Sequence, residues 1–113
     1  MDTSTPLAQR HCRELPSGTP ALAEGERTAL LDQVPGWSVK NERLSREYRF
    51  PDFVSALDFV NRVGEVAEAE GHHPDLQLGW GRVGVELWTH SVGGLSENDL
   101  ILAARIDALG SEG

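Results

Sequence analysis

Between Pro51 and Gly71 apolar and alanine residues at Phe53, Ala56, Leu57, Val60, Val63, Val66 and Ala67 step by three and four along the chain. Only an α-helix gathers that spacing onto one side, so this stretch is a long helix with an apolar face that needs a surface to cover. Asp52 is a suitable N-cap with Pro51 just before it. The far end is set by Gly71 and by Pro74, which drives His73 out of helical geometry and into an extended one.

The surface to be covered comes from two pairs of alternating segments. Upstream, Trp37 and Val39 alternate with polar residues, Asn41-Glu42 interrupts, and Leu44, Arg46, Tyr48 and Phe50 resume with Ser45, Glu47 and Arg49 between them. Downstream, Leu76, Leu78 and Trp80 alternate, the chain bends between Gly79 and Arg82, and Val83, Val85, Leu87 and Thr89 alternate again. A period of two marks half-buried strands, so each pair predicts a β-hairpin. Shorter helices flank them. One is predicted over 21–34, where Leu22, Glu26, Leu30 and Val34 share a helical spacing and Pro35-Gly36 ends the run. The other is opened by Ser96 as N-cap, with Asp99 at the third helical position and Leu95 and Leu100 as a hydrophobic staple, and runs to about Leu109. The order α-β-β-α-β-β-α predicts an α+β fold, a four-stranded antiparallel sheet with helices packed on one face. The uncovered face or an edge is then open to another subunit.

Residues 1–20 hold Thr3, Ser4, Thr5, Pro6, Pro16, Ser17, Gly18, Thr19 and Pro20 and few large apolar groups, so a flexible tail is expected there, followed by a single domain over 21–113. Composition narrows the function. With 18 acidic against 10 basic side chains and a formal net charge of −8, the surface repels phosphate backbones, and no basic run offsets this. Cys12 is the only cysteine, which excludes an intrachain disulfide and a thiolate metal cage and fits a reducing compartment. No stretch reaches the roughly 20 apolar residues of a membrane span. The first 15 residues lack a signal-peptide apolar core, so a cytoplasmic protein is expected.

Three of the four histidines, His72, His73 and His90, flank the second hairpin. Folding that hairpin returns the chain to its starting end, so His90 should approach the His72-His73 pair. Histidine is the side chain suited to moving protons near neutrality, which makes the cluster a candidate acid/base site. Glu68, four residues before His72, shares its face if the helix extends that far and is expected to orient that imidazole. Asp99 and Ser96 could line the same pocket, and Trp88 shares a face with His90. Adjacent histidines in extended chain point to opposite sides, and neither HExxH nor CxxC occurs, so a metal site is not expected. Gly79-Trp80-Gly81-Arg82-Val83-Gly84 matches GxGxxG, but a strand pattern follows it where a dinucleotide fingerprint needs a helix.

Glu68, His72-His73-Pro74, Trp80, His90 and Asp99, at their intervals in this chain, resemble the signature of the pterin-4a-carbinolamine dehydratases. Phe53, Ala56 and Phe59, Thr89-His90, Gly94-Leu95-Ser96 and Leu102-Ala103-Ala104 agree with it, and the likeness runs from about Leu22 to Leu109. The resemblance implies a homodimer or homotetramer and a hydro-lyase that removes water from a 4a-hydroxytetrahydropterin to give the quinonoid dihydropterin. That reaction recycles tetrahydrobiopterin for aromatic amino acid hydroxylases. It implies His72 and His90 as the acid/base pair and His73 as a further active-site residue that mainly holds substrate. Glu68, Trp80, Thr89 and Asp99 would be in support, with no metal and no cofactor. Gly71 departs from the acidic residue frequent before the histidine pair, and Asn98 from the basic residue some members carry before the aspartate. Proteins of this fold also act without catalysis, as a dimerisation cofactor of a transcription factor or an assembly factor for carbon-fixing enzymes. The joint presence of Glu68, the three histidines and Asp99 favours the enzyme.

Overall fold

A computed structural model describes residues 5–110. Helix α1 spans Glu24–Leu31, strands β1 and β2 span Ser38–Lys40 and Arg43–Arg49, and helix α2 spans Phe53–Glu70. Strands β3 and β4 span Asp75–Gly79 and Arg82–Leu87, and helix α3 spans Glu97–Asp107. The sheet order is β1-β2-β4-β3, antiparallel throughout, which is the expected α+β architecture.

Register decides which side chains meet the helices. Leu44 pairs with Leu87, Tyr48 with Val83 and Leu76 with Val85, so the apolar residues of three strands share one face. Against that face α2 sets Ala56, Phe59 and Val63, and α3 sets Leu100, Leu102, Ala103 and Ile106, in one continuous core. Phe59 packs its ring on Tyr48 and Phe50 at centroid distances of 4.7 and 5.1 Å. The other face carries Arg43, Ser45, Glu47, Arg82 and Glu86, partly exposed, and among the described residues no helix lies over it.

Local chemistry sets the element ends. The Asp52 carboxylate accepts the Ser55 N–H at 2.8 Å, and Gly71 ends α2 in a left-handed conformation at φ 66°. Asn41 and Glu42 take the left-handed geometry of a two-residue hairpin turn. At the tip of the second hairpin Gly81 has φ 67°, and a Cβ there would lie 2.8 Å from the Phe50 carbonyl oxygen, so the position needs glycine. Gly79 closes one strand and Arg82 opens the next, so the GxGxxG match lies in a hairpin. Asp107, at the end of α3, accepts hydrogen bonds from Trp37 Nε1 and Arg46 Nη1, each at 3.0 Å, and from the Tyr48 hydroxyl. Burial, and then this contact, push the Tyr48 hydroxyl pKa well above its usual range.

Three details differ from expectation. The first helix is shorter than 21–34, because the Leu22 N–H donates to the Leu95 carbonyl at 2.9 Å and holds that residue against the approach to α3. Beyond α1 the chain tightens into successive turns that still bury Val34 completely. The final strand stops at Leu87. Thr89 instead makes a single bridge to Gly94, and His90–Val92 form a 3₁₀ turn. The flexible tail expected over 1–20 lies partly outside the described residues, and where it is described it is anchored. Leu7–Gln9 form a 3₁₀ turn in which Leu7 is 1% exposed, inserted in the core with its N–H on Gln33 Oε1. Leu7 is one apolar residue among many polar ones, and average composition conceals it. Among the described residues no helix is long and apolar enough to cross a membrane.

Candidate active site

The left-handed turn at Gly71 redirects the chain as α2 ends, so His72 does not continue the helical face of Glu68. It points across to α3, where its Nε2 lies 2.6 Å from Asp99 Oδ1. The Asp99 side chain is fully buried and that of His72 is 13% exposed. Glu68 instead meets His73, Nε2 to Oε2 at 2.6 Å, with both side chains largely in solvent. The expected Glu68–His72 pair is therefore replaced by two crossed pairs, because the i,i+4 relation holds only while the helix continues.

Asp99 is held from several sides. Its Oδ2 accepts the Ser96 N–H at 2.9 Å and the Thr89 hydroxyl at 2.8 Å. The Ser96 hydroxyl lies 2.7 Å from that of Thr89 and donates to it, since the Thr89 proton is already given to Asp99. A carboxylate only accepts, so the His72 contact requires the proton on Nε2 and leaves Nδ1 as the nitrogen free to exchange a proton with a ligand. Buried charge is tolerated here because every lone-pair direction in use has a donor. The N-cap and third-position reading of Ser96 and Asp99 thus holds, and the same carboxylate also orients the histidine.

His90 follows Thr89 directly and is exposed at the start of the 3₁₀ turn. Its ring lies 5.4 Å from that of Trp88, and the Arg43 guanidinium covers the Trp88 ring at 3.9 Å. The β3–β4 ladder begins at Asp75 opposite Glu86, which sets His72–Pro74 and Trp88–His90 at the same end of the hairpin. The candidate site at this end of the hairpin therefore comprises a His72–Asp99 pair whose carboxylate is buried, an exposed His73–Glu68 pair and a His90–Trp88–Arg43 stack. Trp80 does not join it. It stands 73% exposed at the opposite tip of the hairpin, beyond five-residue β3, about 16 Å of strand away.

A family model described as "Pterin 4 alpha carbinolamine dehydratase" matches residues 20–109. The chain belongs to this family of hydro-lyases. It is 46% identical over 108 residues to a Methylococcus capsulatus protein that bears the pterin-4-alpha-carbinolamine dehydratase name, covering 94% of this chain and 95% of that one. It is 49% identical over 94 residues to pterin-4-alpha-carbinolamine dehydratase 2, mitochondrial, of Arabidopsis thaliana, covering 79% of this chain and 50% of that protein. Among solved structures, a transcriptional coactivator/pterin dehydratase from Brucella melitensis superposes with a TM-score of 0.75 at 33% identity, over 79% of this chain and 97% of that one.

Within this dehydratase-family chain, two features of the rim escape sequence reasoning. Arg43 comes over Trp88 because Leu44 pairs with Leu87, a register that the separate hairpin patterns do not reveal. Glu70, the last residue of α2, is covered by the N-terminal segment. The Cys12 N–H donates to its Oε1 at 2.7 Å, and His11 Nδ1 lies 3.0 Å from its Oε2. Burial opposes its ionisation, but the Cys12 amide, His11 and Arg105 outweigh that and hold the carboxyl below the usual range. Cys12 is affected in the opposite sense, as burial first and then the charges of Glu70 and Asp99 push its thiol up to about 12.

Proposed function

We propose that this chain dehydrates a 4a-hydroxytetrahydropterin to the quinonoid dihydropterin, regenerating a tetrahydrobiopterin-type cofactor, with histidines as acid and base. The observation that carries the reading is the 2.6 Å contact between His72 Nε2 and the fully buried Asp99. It supports an imidazole whose tautomer is fixed and whose Nδ1 is presented to the rim.

In the reaction the C4a–O bond breaks and the oxygen leaves as water once protonated. The neighbouring ring nitrogen gives up its proton, and the electron pair released becomes the C=N bond. We assign His72 the proton from nitrogen and His90 the delivery of a proton to the leaving oxygen, with His73 and Glu68 as substrate-holding groups. Thr89 and Asp99 position His72. Each positioned acid or base contributes about 10²–10⁴ in rate, enough to catalyse the step without metal or nucleotide. Trp80 has no part in this assignment. With Phe53, Val54, Leu57 and Leu78 it is one of the exposed large apolar residues, which supports a homo-oligomer joined through α2 and the hairpin tip. The lone Cys12, half-buried as a neutral thiol, supports a reducing, cytoplasmic setting.

The Brucella melitensis neighbour carries two names, and the uncovered sheet face here holds a groove of about 400 Å³ lined by Ser38, Ser45, Glu47, Gln77, Arg82 and Glu86. That polar groove contains none of the histidines and supports a second reading, a partner-binding protein. Stopped-flow measurement of carbinolamine dehydration separates the two. The enzyme reading expects wild-type acceleration that His90→Ala and His73→Ala each largely abolish. An inactive wild type that co-purifies with a larger protein, or unchanged rates in both variants, overturns it.

A further inference from the structure

The N-terminal segment precedes the stretch that the family model matches, yet its polar contacts converge on the residues flanking the His72–Asp99 pair. Asn98, next to Asp99 and 6% exposed, uses both ends of its amide on one residue of that segment. Its Oδ1 accepts the Arg13 N–H at 3.0 Å, and its Nδ2 donates to the Arg13 carbonyl at 2.7 Å, as a neighbouring strand would. Glu70, two residues before His72, receives the Cys12 N–H and faces His11. Arg105 donates to the Arg10 carbonyl at 2.7 Å while its Nε lies 3.7 Å from Glu70, and Arg10 pairs with Glu97 at 2.8 Å. Residues 10–13 thus bridge the last turn of α2 and the first turn of α3.

Those two turns carry the two halves of the buried pair. Beyond Gly71 the main-chain tie of His72 back to its helix is a 3.3 Å bond to the Ala67 carbonyl, and helix ends are where local opening begins. The His72–Asp99 distance therefore depends on where the end of α2 sits relative to the start of α3. An error of about 1 Å in such a placement can cost about 10²-fold in rate. We propose that residues 10–13 are a positioning strap, clamped by Asn98 and Glu70, that holds His72 in register with Asp99. The strap touches no substrate. It acts through Asp99 and His72, and its kinetic consequence rests on the dehydratase reading above. Leu7, three residues before the strap, packs into the core and belongs to neither clamp.

The test uses the full-length chain carrying Asn98→Leu, which removes both amide contacts, or Glu70→Gln, which weakens the other clamp, with Leu7→Ala as the control for a merely structural tail. Two readouts are taken on variants that circular dichroism shows to be folded. One is the pair of ring ¹⁵N shifts of His72, assigned by their loss in His72→Gln, which report the tautomer without any substrate. The other is the split between kcat and KM. The strap predicts His72 fixed as the Nε2–H tautomer in the wild type and drifting to a mixture in both clamp variants. It also predicts kcat down about tenfold or more with KM little changed. Leu7→Ala should lower the melting temperature and leave the tautomer and kcat as in the wild type. Unchanged ring shifts in the clamp variants, or a Leu7→Ala variant that drifts equally, overturn the strap. An inactive wild type overturns the dehydratase reading alone, and the ring shifts still decide the strap. Should Asn98→Leu not fold, Glu70→Gln decides by itself.

Discussion

His72 and Asp99 stand 27 residues apart in the chain and 2.6 Å apart across the junction of α2 and α3, with the carboxylate wholly buried and the imidazole at the rim. Asp99→Asn preserves shape but turns an amide N–H2 towards His72, which must then give up the Nε2–H tautomer or face donor to donor. The expected result is a kcat reduced about 10²-fold, the lower end of what one positioned proton-transfer group contributes. The buried donors left unpaired should lower stability by about 1–3 kcal/mol. Stopped-flow dehydration and urea unfolding check the two effects, and an unaltered rate would separate Asp99 from the chemistry.

The opposite end of α3 tests a purely structural device. Tyr48→Phe removes the hydroxyl contact to Asp107 from a side chain only 2% exposed, while Trp37 and Arg46 still donate to the same carboxylate. A hydrogen bond to a charged group is worth about 1.5–3 kcal/mol net, and the remaining donors keep this loss near the lower figure. For a domain of this size that is a melting temperature lower by several degrees, with the dehydration rate unchanged. Calorimetry measures it directly.

Cys12 supplies an alkaline prediction. Burial, reinforced by Glu70 and Asp99, raises its thiol to about 12, so the folded state favours the protonated form. Its contribution to stability is intact below the unfolded thiol pKa of about 8.5 and is lost as pH rises towards the folded value. At pH 9 alkylation of the folded chain by iodoacetamide should be about 10²-fold slower than in urea, because the thiolate is the reacting species. Cys12→Ala should flatten the loss of stability on the alkaline side.

Glu70 supplies the acidic counterpart. Its folded carboxyl is held below the usual range, so its contribution is present above the unfolded value of about 4.3 and disappears as pH falls through the lower folded value. Glu70→Gln removes that dependence. Unfolding free energies measured from pH 6 downwards should fall less steeply in the variant than in the wild type.

How much of this was legible beforehand follows from which interactions are local. The element order could be read because periods of 2 and 3.6 residues differ, and Asp52, Gly71 and Ser96 mark helix ends by their own chemistry. That His90 lies at the same end of the second hairpin as His72 and His73 followed from hairpin closure alone. The carboxylate partners did not, since Gly71 swings His72 away from Glu68 and hands that residue to His73. The family resemblance groups Trp80 with the histidines, whereas the hairpin carries it to the far tip. Arg43 over Trp88 depends on the β2–β4 register, and the strap on pairings such as Arg13 with Asn98, 85 residues apart, which leave no periodic trace.

The central claim, that a His72 fixed by Asp99 moves protons on a pterin carbinolamine, is tested most directly by the dehydration rate of purified wild type against His72→Ala under identical conditions. The account predicts that the wild type accelerates dehydration and that His72→Ala lowers kcat about 10²-fold or more while remaining folded. A folded His72→Ala variant that dehydrates the carbinolamine as fast as the wild type would contradict it.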